Sequence, residues 1–90
     1  MQIHIVVHYM THFPGLGHNK AQSQGNFEVN SFEYEINPIQ EVARVAKMFC
    51  DKLISQNVNK TNLIKVIYNE TNDITNEVRR IYVEDPKKKF

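Results

Sequence analysis

The side chains best suited to chemistry gather at one end of the chain. The first 26 residues hold all four histidines (His4, His8, His12 and His18) and all three glycines, but no Asp or Glu. The repeat His4-x3-His8-x3-His12 would chelate one ion along a helix, where residues four apart share a face. The alternating apolar residues around it instead predict a strand, on which four residues span about 13 Å. Two ligands of one zinc sit only about 4 Å apart, so His4 and His8 do not share a metal. His8, His12 and His18 would converge only on a bend after Met10, with no cysteine or carboxylate close in sequence to complete the set. The expectation is no metal site and no cofactor.

The run Gly15-Leu16-Gly17-His18-Asn19-Lys20 follows that strand and brings a lysine. Phosphate-cradling loops combine glycines, whose backbone N–H groups approach the phosphate, with the start of a helix. Here the G-x-x-x-x-G-K-[ST] spacing is absent, and residues 21–25 show no helical apolar pattern. Residues 11–25 are read as a long flexible loop, hospitable to an anion but not built to cradle a nucleotide. Covalent catalysis needs a nucleophile beside a base. Cys50 instead lies on the apolar stripe of a helix, where cysteine behaves as a small hydrophobe. Among the acids, Glu28, Glu33 and Glu35 cluster in sequence, and Glu33 and Glu35 read as solvent-facing charges on an edge strand. No catalytic constellation emerges, and the chain is read as a non-enzyme.

The elements that position these residues follow from periodicity. Gln2 to Met10 alternates, with Ile3, Ile5, Val7 and Tyr9 on one face and His4, Val6, His8 and Met10 on the other. Phe27 to Ile36 reads as a second strand whose apolar parity switches midway, which predicts a β-bulge at Asn30-Ser31. Asn37-Pro38 opens a helix: asparagine caps, proline suits the first turn, and Gln40 completes a capping box. Ile39, Val42, Val45, Ala46, Phe49, Cys50, Leu53 and Ile54 form its apolar stripe. Gln40, Glu41, Arg44, Lys47, Asp51, Lys52 and Ser55 take the other side, and the helix ends near Gln56-Asn57. Leu63 to Asn69 is a third strand, Glu70-Thr71-Asn72-Asp73 a turn, and Ile74 to Glu84 a fourth strand on β propensity. The expected architecture is a single α+β domain over residues 1–90. It has two layers, a four-stranded mostly antiparallel sheet with one helix, in the order β-loop-β-α-β-β, and a basic tail at 85–90.

One helix covers one face of such a sheet, yet the first and third strands carry apolar residues on both parities. The long loop or another protein chain must cover the rest, so a homodimer or an obligate protein partner is expected. The partner-binding candidates are Val6, His8, Met10, His12, His18 and Lys20. The chain of 90 residues has a net charge of +1, which argues against strong non-specific attraction to nucleic acid or an anionic membrane. A second set nevertheless fits a nucleic-acid surface on the last hairpin and tail: Lys65, Tyr68, Arg79, Arg80, Tyr82, Lys87, Lys88 and Lys89. A single cysteine and a start without basic or continuous apolar character suggest a cytoplasmic protein without a membrane span. The abundance of Asn, Ile and Lys suggests an AT-rich gene of bacterial or mobile-element origin. The first reading is thus a small non-catalytic protein acting through protein–protein contact, in a regulatory or inhibitory role. The alternative is a nucleic-acid-binding module.

Overall fold

A computed structural model describes residues 1–13, 15, 17–56 and 61–84. The chain is α+β, and the described residues form four strands and three helices: β1 (Gln2–Phe13), β2 (Gly17–Glu28), α1 (Ser31–Ile36), α2 (Pro38–Gln56), β3 (Thr61–Tyr68), β4 (Asn72–Asp73) and α3 (Thr75–Glu84). The sheet runs β2-β1-β3-β4 and every neighbouring pair is antiparallel.

The central strand β1 obeys its period of two throughout. Ile3, Ile5, Val7, Tyr9 and Thr11 are buried, while the residues between them are half-buried. The helices pack on the buried side, where one core joins Ile3, Ile5, Val7 and Tyr9 to Val42, Ala46, Cys50 and Leu53 of α2 and to Val78 and Tyr82 of α3. Fully burying an Ile or Val side chain contributes about 1.5–3 kcal/mol, so this shared core is a main source of the stability of the fold.

Residues 11–25 are not a long loop. β1 continues to Phe13, and β2 returns in unbroken register from Phe13↔Gly17 to Gln2↔Glu28. The reversal includes Gly15 at φ +80°, and Gly17 follows at φ +90°, backbone that favours glycine. β2 escapes hydrophobic patterning because it is an edge strand. Its inward residues are the small Ala21, Ser23 and Gly25, with only Phe27 large, packed on Phe49 at 4.7 Å between ring centroids. The ring of Phe27 also lies over Gly25, where an added Cβ would stand 3.1 Å from it.

Two further strand assignments give way to helices. The parity switch at Asn30-Ser31 is a helix start and not a bulge: the Asn30 side chain accepts the Glu33 N–H at 3.0 Å and caps α1. Glu33 and Glu35 therefore lie on a helix and not on a strand edge. The expected fourth strand is α3, because Ile74 and Val78 are drawn at helical spacing into the core. Packing overrides β propensity there. The Asp73 carboxylate starts this helix by accepting the Thr75 N–H at 2.9 Å together with its hydroxyl. Those two bonds hold the carboxyl below the usual carboxylate range.

At α2 the cap is as expected, with one change in its detail. Asn37 Oδ1 accepts the Gln40 N–H, while the Gln40 side chain takes the Asn37 side-chain amide in place of the backbone N–H. That backbone N–H instead continues α1 by donating to Glu33 O. Glu41 is buried at 4%, although its helical position marks it as polar. It grips Arg44 through two bonds of 2.8 and 2.7 Å and accepts the Asn30 N–H at 2.7 Å. Asn57 and Asn59 and the 85–90 tail lie outside the described residues.

Candidate partner-binding surface

With the helices confined to one side, the even-numbered residues of β1 form the middle of an open face. Register sets their neighbours: His4 faces Asn26, Val6 faces Gln24, His8 faces Gln22, Met10 faces Lys20 and His12 faces His18. On the other flank, Val6 meets Ile67 and His8 meets Lys65. Val6, His8, Met10, His12, His18 and Lys20 thus share one surface, joined by Lys65. The sequence did not mark the amide row Gln22, Gln24 and Asn26 for this surface, nor Glu28 at its end, which read there only as one of a cluster of acids. Their signal was present as exposed polar residues alternating with small ones.

This face is less apolar than expected. Val6, Met10 and Ile67 are its half-buried apolar members, within a frame of imidazoles, amides and lysines. Ile64, which unbroken alternation would set beside Val66 and Tyr68 on the core side, sits at a register shift in β3, where His8 pairs Lys65 but Tyr9 pairs Leu63, and is exposed. The segment expected as a covering loop is coplanar β2, and no described residue covers the face.

His4, His12 and His18 are engaged in local contacts. His4 Nδ1 and Nε2 meet Asn26 Oδ1 at 2.9 Å and Gln24 Oε1 at 3.1 Å. His12 Nε2 accepts from the Asn62 amide at 2.6 Å, and its ring meets His18 edge-on at 4.1 Å. Among the described residues no three His, Cys, Asp or Glu side chains are grouped to hold an ion. Compared with known protein families, curated proteins and solved structures, the chain matches none.

The second candidate set is dispersed. Tyr68 and Tyr82 are 7% and 6% exposed, so neither ring is available for base stacking. Tyr82 donates its hydroxyl to Asp51 Oδ1 at 2.7 Å, and burial together with that bond pushes its phenol up. Burial raises Tyr68 as well. Arg79 donates to the carbonyls of Leu63 and Ile64 at 3.1 and 3.4 Å. Arg80 is exposed on α3, on a different element from Lys65, and Lys87, Lys88 and Lys89 lie outside the described residues. The hairpin that was to carry this set shrinks to β3 and the two-residue β4, and the rest of its expected second arm is α3.

Two buried groups that could do chemistry are held inert. Cys50 is fully buried in the core, and desolvation pushes its thiol up to about 12. The Glu41 carboxyl is lowered to about 2 by its Arg44 partner, against the opposing effect of burial. A permanently charged, fully bonded carboxylate suits an anchor better than an acid–base catalyst.

Proposed function

We infer that this chain is a non-catalytic binding protein that engages another protein through the open face of its sheet, in a regulatory or inhibitory role. One observation carries the reading. A one-sided helix layer leaves a face on which the six candidate residues lie together around the apolar members Val6, Met10 and Ile67. Half-buried apolar side chains framed by hydrogen-bonding groups are the make-up of protein interfaces. The cytoplasm is taken as the site of action, supported by a single cysteine that is buried and reduced. No described helix is long and apolar enough to cross a membrane.

A photo-crosslinking residue in place of His8 tests the reading. It should form a discrete protein adduct in cells, and the same residue in place of Lys52, exposed on α2, should not. Equal labelling at both positions, or none at His8, would remove the reading. A salt-dependent affinity for generic oligonucleotides, lost in Lys65→Ala and Arg80→Ala, would replace it with nucleic-acid binding.

A further inference from the structure

The outer edge of β2 is self-complementary, and we propose that a second copy of this chain pairs with it antiparallel, about a two-fold axis through Gln24. The proposal rests on the protein-binding reading above and names one partner for the same hairpin.

Backbone parity comes first. Val29 donates its N–H to Met1 O, and register places Met1 opposite Val29. The odd residues of β2 therefore turn their N–H and C=O groups toward β1, and the even ones turn theirs outward. Lys20, Gln22, Gln24, Asn26 and Glu28 offer an uninterrupted row of donors and acceptors. A second strand adds to such a row through main-chain bonds. Proline, bulges and short length are the usual defences of an edge. β2 runs 12 residues without proline, and its register with β1 is unshifted.

Side chains then select the partner and the register. β2 contains one lysine and one carboxylate, Lys20 and Glu28, placed symmetrically four residues either side of Gln24. Antiparallel pairing centred on Gln24 sets Lys20 of each copy opposite Glu28 of the other, and Gln22 opposite Asn26. On the helix side it sets Ala21 opposite Phe27 and Ser23 opposite Gly25, so each larger residue meets a smaller one. Opposite charges directly across a strand pair stabilise it, and like charges destabilise it. Moving the centre to Ser23 would set Lys20 opposite Asn26 and forfeit both ion pairs. Glu28 already accepts the Met1 ammonium at 2.8 Å, yet its side chain is 68% exposed and open to a second cation.

The test is a charge swap with a cross-link. Sedimentation equilibrium should show the full chain in a concentration-dependent monomer–dimer equilibrium. Lys20→Glu and Glu28→Lys each place like charges across the axis twice, and each should weaken dimerisation about tenfold. The double variant Lys20→Glu/Glu28→Lys restores opposite charges and should restore association. All three should retain the circular dichroism of the parent, because both positions are exposed. Gln24→Cys should form a disulfide-linked dimer on mild oxidation, since directly paired residues bring Cα atoms to about 5.5 Å. Gln22→Cys, offset from its own copy by four residues or roughly 13 Å, should not. A monomer at every concentration overturns the proposal, as does a double variant no better than the singles or equal cross-linking from both cysteines. If that happens while the His8 cross-linker still captures a protein, the second copy falls and the open-face reading stands.

Discussion

The sheet has two edges, and the chain treats them differently. On the β3 side much of the edge backbone from Leu63 to Tyr68 is given a partner. β4 pairs Ile67 and Tyr68, the Ile74 N–H reaches Val66 O at 3.0 Å, and Thr75 Oγ1 accepts the Val66 N–H at 2.9 Å. Where β4 stops, Arg79 takes the carbonyls of Leu63 and Ile64. On the β2 side a strand of 12 residues presents its even-numbered backbone groups outward. A chain that seals one edge with a threonine, an arginine and a two-residue strand has the means to seal the other. In the proposal above, this unsealed edge is where the second copy pairs.

The largest effect tests what both edges depend on. Ile5 is fully buried in the strand between them, and Ile5→Ala should lower unfolding free energy in urea by about 2–5 kcal/mol. Next is the seal on the β3 side. Thr75→Val keeps the volume but leaves the buried Val66 N–H without its acceptor, and should destabilise by about 1–3 kcal/mol. Arg79→Ala removes two bonds to the Leu63 and Ile64 carbonyls and should cost about 0.5–1.5 kcal/mol. It should also raise self-association at the newly exposed β3 edge, read by light scattering. If Arg79→Ala left both stability and association unchanged, the contrast between the edges would lose its basis.

A pH-dependent effect concerns how β2 is anchored beyond its last residue. Glu41 holds the Asn30 N–H, and its carboxyl is lowered from the usual 4.5 to about 2. A depressed carboxyl stabilises the fold above its unfolded value and loses that contribution as pH falls toward the folded one. The parent chain should therefore lose stability between about pH 4.5 and 2 through this group. Glu41→Gln should start less stable at neutral pH and show a flatter profile across that interval. Thermal midpoints measured along the acid limb decide it.

What the sequence made legible was wherever burial is one-sided and deep. β1 and the stripe and cap of α2 follow directly from spacing, since each buries a regular apolar series. β2 was obscured because an edge strand with Ala, Ser and Gly inward and Gln, Gln and Asn outward has no hydrophobic contrast to detect. The change at Asn30 was visible as a switch of parity, but parity alone does not distinguish an extra strand residue from a helix cap. In α3, Val78, Ile81, Tyr82 and Val83 favour strand locally, and only contact with α2 and β3 settles the matter. Glu41 sits at a polar helical position, and its burial comes from α1 folding over it, which no local pattern encodes. The six partner-binding candidates fell on one surface because β1 keeps its alternation and β2 mirrors it. Tyr68 and Tyr82 show the converse: aromatic residues with hydroxyls look available in sequence, and here both are enclosed.

All the helices lie on one side of the sheet, and this bears on valency. An edge-to-edge pair about an axis normal to the sheet would turn both open faces in the same direction. A target carrying two matching sites would then engage the second face as an intramolecular event, at an effective concentration on the order of millimolar. Weak contacts at each face would add into avidity, and removing the pairing at β2 would lower apparent affinity without changing a single contact at the face itself.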